Sequence, residues 1–199
     1  MNTRFNLYLH VHKGLRAFMA DVLTTVGRID ALDGVEVTAG VAQVRALLDA
    51  CRAHLFTENQ FLHIAMEARR RGSATVTANE HVQQEEALEQ IEARLRAIER
   101  SSGPDLEIKI LDLYQFLALF VAENFQHMQV EERDNNETLW ALYTDAELQA
   151  IQAQVLTSLD PGEIAAFLRW MFPYVSNRER GAILAGLQKA APEPISHFN

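Results

Sequence analysis

Apolar residues recur at helical spacing along most of the chain. The first stripe, at i, i+3, i+4 and i+7 intervals, predicts a helix over residues 4–29. It consists of Leu15, Phe18, Met19, Val22, Leu23 and Val26. The same spacing predicts long helices over residues 41–71, 77–100 and 105–135. No segment alternates apolar and polar residues as strands do, so the pattern predicts an all-α protein.

The segments between these helices carry turn and capping signals. The stretch IDALDGVEVT predicts a loop between the first two helices, and Gly72 stands where the second should stop. Thr77 and Glu80 have the spacing of a capping box for the third helix, and Ser-Ser-Gly-Pro at 101–104 ends it. Four long helices with short connections predict an up-down-up-down four-helix bundle.

The C-terminal third has three further helix starts. Thr144 with Glu147, Asp160 followed by Pro161, and Ser176 with Glu179 all match N-cap patterns. They predict a C-terminal extension of two to three shorter helices. We therefore divide the chain into a four-helix bundle, residues 1–136, and a helical extension packed on it, residues 137–199.

Composition narrows the classes of function. Hydrophobic residues make up 48% of 199 residues, which is typical of a globular protein. The net charge of −9 argues against a nucleic-acid partner, and the basic run Arg69–Arg71 suits the negative end of a helix dipole. Cys51 is the only cysteine, so no intrachain disulfide forms, which fits a reducing compartment. No secretory leader or membrane span is evident, and we expect a soluble, cytoplasmic protein with no membrane partner.

Histidine and glutamate recur at a spacing that suits metal binding. Three histidines have a glutamate four residues later, in the pairs His54/Glu58, His81/Glu85 and His127/Glu131. Residues four apart lie on one face of a helix, so both side chains can reach one ion. His12 lies on the apolar stripe of the first helix, so each of the four long helices supplies an imidazole. Four imidazoles in one core are costly unless they have a common partner, and a metal is the simplest one.

Each of these residues also has an ordinary structural explanation. His12 alone fits a hydrogen-bonded core histidine, and the His/Glu pairs fit solvated pairs on a helix surface. Other candidates are weaker: Glu85 fits a ligand or a hydrogen-bond acceptor behind a ligand, and His63 lies about half a turn from the face of His54. Glu132 points away from His127 on a regular helix, and Cys51 fits a buried thiol better than a redox group.

The preferred ligand set is His12, His54, Glu58, His81, His127 and Glu131. Six ligands are too many for one tetrahedral zinc ion, and they suit two first-row metal ions. The two glutamates would bridge the ions, and the histidines would cap them. Carboxylates with imidazoles favour iron or manganese. The Glu-x-x-His motif of the ferritin-like carboxylate proteins does not occur in this sequence.

This ordered set resembles the hemerythrin-like, or HHE cation-binding, domain family. VHKGLRA, HLFTENQFLHIAMEARRRGSA, NEH and HMQVEE are similar to the family's four helix segments in order. LRWMFPYVSNRERGAILAGLQKAAP is similar to the C-terminal extension of longer members. The resemblance implies a four-helix bundle with an oxo- or hydroxo-bridged non-haem di-iron site, in which the four histidines are terminal ligands and the two glutamates are bridges.

The sequence departs from the oxygen-carrying members in two places. Glu85 stands where they have a second histidine on the third helix, and Glu131 stands where they have a bridging aspartate. Asn59 also stands where many members have a second acid. The four-histidine, two-glutamate set looks more like members linked to nitric oxide chemistry and to repair of damaged iron–sulfur centres.

The residues and the resemblance together predict a di-iron protein, with manganese as the other metal. It would bind or reduce a small ligand such as O2, NO or peroxide in stress response or iron handling. Two alternatives stay open from the sequence: an iron- or oxygen-sensing module without turnover, and a metal-free structural bundle.

Overall fold

The computed structural model describes residues 4–190, and no strand occurs among them. The prediction of an all-α protein is confirmed. The helices are α1 (Leu9–Val26), α2 (Gly34–Thr57), α3 (His63–Arg69), α4 (Thr75–Ile98), α5 (Pro104–Val130), α6 (Asn136–Leu142), α7 (Asp145–Ser158), α8 (Pro161–Met171) and α9 (Asn177–Ala190). Two π-helical turns, π1 (Glu58–Leu62) and π2 (Glu131–Asn135), join α2 to α3 and α5 to α6. A short 3-10 turn, Phe172–Tyr174, follows α8.

Several predicted helix ends are wrong. The second helix begins at Gly34, not near residue 41, because the Asp33 carboxylate accepts hydrogen bonds from the backbone N–H groups of Val35 and Glu36. The predicted loop before it is correspondingly shorter. The fourth helix does not end near residue 135, since π2 carries the chain directly into α6 as far as Leu142.

The capping prediction at Thr77 is also wrong, whereas those of the C-terminal extension are confirmed. α4 begins at Thr75, and the buried Thr77 hydroxyl contacts the side chain of His63 and the backbone carbonyl of Ala74. The predicted caps at residues 144, 160 and 176 each accept a hydrogen bond from the backbone N–H three residues later.

The four long helices pack on one another around a main apolar core. α1 lies against α2 and α5, and α4 lies against the same two helices. The largest side chains of this core are fully buried and come from all four helices; they include Met19, Leu47, Leu48, Leu88, Ile91, Leu95 and Leu117. The up-down-up-down order of these helices stays a prediction.

A second core cluster lies beyond the π-helical turns. It consists of Tyr8, Leu62, Met66, Ala74, Leu139 and Leu148. Its residues come from the segment before α1, from π1 and α3, from the residue before α4, and from α6 and α7. The chain therefore buries apolar side chains on both sides of the level at which α2 and α5 end.

The C-terminal extension packs on α1, close to His12. Gly14 lies so close to α8 that a Cβ atom there would be 2.9 Å from the Cα atom of Met171. Phe18 stacks on Trp170 at a centroid distance of 6.2 Å, and Lys13 donates to Glu179 at 2.8 Å. The division of the chain at residue 136 stays a prediction. Within residues 4–190, no helix is long and apolar enough to cross a membrane.

Candidate metal centre

The structure brings the six predicted ligand residues together. His12 is the fourth residue of α1 and His81 is the seventh of α4, whereas His54 and His127 are each fourth from the end of α2 and α5. Each glutamate, Glu58 or Glu131, is the first residue of a π-helical turn. The side chains therefore meet where two helices begin and two end, and all six residues are at most 8% exposed.

They form two buried clusters that could hold metal ions. One comprises His12, His54, Glu58 and Glu131, and the other comprises Glu58, His81, His127 and Glu131. In each cluster one possible ligand atom from every residue lies within 4.8 Å of the others. Both clusters contain the same two glutamates. We call them the His12/His54 position and the His81/His127 position.

The Nε2 atoms of the histidines point at the shared carboxylates. His12 Nε2 lies 3.4 Å from Glu58 Oε1 and 3.4 Å from Glu131 Oε2. His81 Nε2 lies 3.5 Å from Glu58 Oε2 and 3.5 Å from Glu131 Oε1. Each glutamate therefore faces a histidine of both positions, which is the arrangement that a bridging carboxylate requires.

The remaining two histidines each face the glutamate of their own helix. His54 Nε2 lies 3.4 Å from Glu58 Oε2, and His127 Nε2 lies 3.2 Å from Glu131 Oε2. These are two of the three i, i+4 pairs predicted from the sequence, and both are buried. The Nε2 atoms of His81 and His127 lie only 3.1 Å apart, so both can reach one ion.

Unpaired polar atoms show that the residues fit a metal. Six buried side-chain nitrogen or oxygen atoms among the described residues have no hydrogen-bond partner, and four of them belong to this site. They are Nε2 of His54, Oε2 of Glu58, and both carboxylate oxygens of Glu131. An unpaired buried acceptor costs about 1–3 kcal/mol, and more when it is charged. Cations placed among these atoms would remove that cost.

Burial and the neighbouring charges set the protonation of the histidines. Burial, together with the charges of His12 and His81, lowers the pKa of His54 to about 4, so its imidazole is neutral at neutral pH. Burial also disfavours the charged form of His12 and His81, but the neighbouring carboxylates outweigh it and raise the pKa of each to about 9. In the metal-free protein these two imidazoles are therefore protonated near neutral pH.

The two shared glutamates are ionised. Burial opposes ionisation of Glu58, but the surrounding imidazoles lower its pKa well below the usual value. Burial and the charge of Glu58 likewise oppose ionisation of Glu131, whereas the neighbouring imidazoles of His127 and His81 lower its pKa. Two buried carboxylates are thus offset by protonated imidazoles, and a metal ion would replace those protons.

A buried polar layer separates the site from the second core cluster. Asn135 Nδ2 donates to the Tyr8 hydroxyl at 3.3 Å and to Thr77 Oγ1 at 3.2 Å. His63 Nε2 lies 3.2 Å from the same Thr77 oxygen, and the His63 ring stacks on His81 at a centroid distance of 4.7 Å. His63 therefore packs against a predicted ligand and belongs to neither cluster, in keeping with its position away from the face of His54.

The other sequence candidates lie outside the two clusters. Glu85 is exposed and belongs to neither of them. Cys51 is a buried free thiol whose pKa burial raises to about 12, which agrees with a structural role. His197 lies outside the described residues.

Sequence reasoning missed three residues that contact the Nδ1 atoms of the histidines. Glu132, placed on the far face of its helix by the sequence, lies 3.1 Å from His12 Nδ1. Glu80 and Asn59 contact the Nδ1 atoms of the histidines at the other position. Each of the three directly precedes or follows a predicted ligand, and that adjacency was the signal available in the sequence.

Comparison with protein-family models, with curated protein sequences and with solved structures found no match.

Proposed function

We propose that this protein binds two iron ions in a dinuclear centre and uses them to bind or reduce a small ligand such as O2, NO or peroxide. Manganese is the other metal that the same donors suit. The observation that carries the proposal is the pair of buried clusters that share both glutamates. The resemblance of the sequence to hemerythrin-like domains supports iron and a four-helix bundle around it.

The residues divide the work of holding the ions. Glu58 and Glu131 would bridge them, because each carboxylate faces histidines of both positions. His12 and His54 would hold one ion, and His81 and His127 would hold the other. When bound, iron would supply redox and Lewis-acid chemistry toward a small ligand. The main apolar core on one side and the buried polar layer on the other exclude bulk water from the site, which favours a small uncharged ligand over a large polar one.

The first test is the metal content of the full chain after expression in iron-supplemented medium. Elemental analysis is expected to give two irons per chain, one for each cluster. Reaction of the reduced protein with O2, NO or peroxide, followed by absorption spectroscopy, then tests ligand binding, and consumption of a reductant separates turnover from binding alone. A stable chain that takes up neither iron nor manganese would refute the proposal and favour a structural role.

A further inference from the structure

The two positions differ in the hydrogen-bond acceptors that face the Nδ1 atoms of their histidines. At the His81/His127 position, both Nδ1 atoms have an acceptor. His81 Nδ1 lies 2.7 Å from the amide oxygen of Asn59, and His127 Nδ1 lies 2.6 Å from a carboxylate oxygen of Glu80. Within residues 4–190, no lysine or arginine pairs with Glu80, so its charge acts on His127 alone.

The His12/His54 position has weaker support. His12 Nδ1 contacts Glu132 at the longer distance of 3.1 Å, and the same carboxylate oxygen accepts from Arg16 at 2.5 Å. The guanidinium therefore neutralises part of the charge that Glu132 offers to His12. Among the described residues, none accepts a hydrogen bond from His54 Nδ1.

The sequence explains this difference. Glu80 directly precedes His81 on α4 and reaches the histidine of the helix packed beside it. The corresponding residue on α1, directly before His12, is Val11. An aliphatic side chain offers no acceptor to His54, so the partner that Glu80 provides at one position has no counterpart at the other.

An acceptor on the second ring nitrogen fixes the tautomer and orientation of a metal-binding histidine and makes it more basic, and loss of one acceptor typically weakens metal binding about 10–100-fold. We propose that the centre binds its two ions with unequal affinity, the tighter one at the His81/His127 position, and that Glu80 and Asn59 are its positioning residues. This inference rests on the proposed dinuclear centre.

The test compares two full-length variants that each keep one position complete. His54→Ala retains the His81/His127 position, and His127→Ala retains the other. Each is titrated anaerobically with Co2+ against a competing chelator, and the cobalt absorption bands report occupancy. The titrations are run at about pH 8.5, where protons compete less with the metal for the imidazoles. We expect His54→Ala to bind its ion at least about ten-fold more tightly than His127→Ala does.

A second pair of substitutions assigns the cause. In the His54→Ala background, Glu80→Gln is expected to weaken Co2+ binding about ten-fold or more, whereas Glu132→Gln leaves it unchanged. If Glu80 merely stabilised the fold, Glu80→Gln would weaken Co2+ binding equally in the His54→Ala and His127→Ala backgrounds. Circular dichroism verifies that each variant keeps its helical content, and the biphasic titration expected of the wild-type chain provides a measurement that needs no substitution.

Two results would overturn the inference without touching the proposed function. One is equal or reversed affinity of the two single-position variants, and the other is equal loss from Glu80→Gln and Glu132→Gln in the His54→Ala background. Failure of the wild-type chain to bind Co2+, Mn2+ or Fe2+ would instead refute the dinuclear centre itself. The two failures are therefore distinguishable.

Discussion

Metal binding should stabilise the folded chain strongly, and Glu131→Gln should abolish that effect. Glu131 is completely buried, belongs to both clusters, and has two carboxylate oxygens without a hydrogen-bond partner. Glutamine has nearly the same shape but only one oxygen, so it cannot bridge two ions. The substitution should therefore weaken both positions at once.

The magnitude follows from mass action. An ion present at 100 times its Kd, and bound only by the folded state, stabilises that state by about 2.7 kcal/mol. Two positions give about 5.4 kcal/mol at the same relative excess. For a chain of this length, each kcal/mol raises Tm by about 2–4 °C. The wild-type Tm is therefore expected to rise by roughly 10–20 °C when Fe2+ or Mn2+ is added anaerobically to the metal-free protein.

Differential scanning calorimetry with and without metal measures this rise directly. The matched control is Glu123→Gln, an exposed position on α5 outside both clusters, which should show the full rise. The quantity compared is the metal-induced change in Tm, so an altered Tm of the metal-free variant does not affect the conclusion. An equal rise in Glu131→Gln and Glu123→Gln would mean that the stabilising metal binds elsewhere.

Three further predictions concern stoichiometry, pH and packing. His54→Ala should lower the metal content from two ions to one per chain by elemental analysis, whereas the control His10→Ala should keep both; two ions in His54→Ala would contradict the ligand assignment. His12 and His81 have pKa values raised from 6.5 to about 9, so their protonation stabilises the metal-free fold below pH 6.5 and this contribution is lost as the pH rises through about 9. Metal affinity should show the opposite trend and fall as the pH falls below about 9. Calorimetry in two buffers of different ionisation enthalpy should detect the protons that are released when metal binds. If metal binding at neutral pH releases no protons, this prediction is wrong. Gly14→Ala should destabilise the chain by about 1–3 kcal/mol in urea unfolding because its Cβ would lie 2.9 Å from the Cα atom of Met171, whereas Gly181→Ala, with open space around it, should be neutral or stabilising.

The sequence was sufficient to predict where the long helices lie and which of their residues face inward. Helical periodicity identifies long amphipathic segments, and a pair such as His54 and Glu58 on one apolar face must be buried together. The i, i+4 spacing therefore predicts four of the six residues that the structure places in two clusters, and the position of one histidine on each of the other two long helices predicts His12 and His81. The ends of the helices were harder to predict from the sequence, because the cap at Asp33 and the continuation past Asn135 depend on contacts that periodicity does not record.

The acceptors behind the histidines could not be placed from one helix at a time. Glu132 lies on a different face from His127 and was set aside on that ground, yet this same direction brings it to His12 on the adjacent α1. Thr77 likewise matched a capping box, but burial against His63 and Asn135 gave its hydroxyl other partners. Contacts between helices, not spacing within one, decide these roles.

The π-helical turns have a consequence for insertions and deletions. A π-helical turn contains one residue more than the α-helical turn it replaces. Deleting one residue of π1 after Glu58 would leave the spacing of His54 and Glu58 intact and convert the turn to an α-helical one, so the orientation of the residues after it would be largely kept. Met66 would therefore keep its place in the second core cluster. Each of these turns thus adds one residue between the segment that directs side chains into the centre and the segment that directs apolar side chains into the cluster beyond it. A single-residue deletion there should therefore cost less stability than one in the middle of α2 or α5, which would rotate all following residues by about 100°.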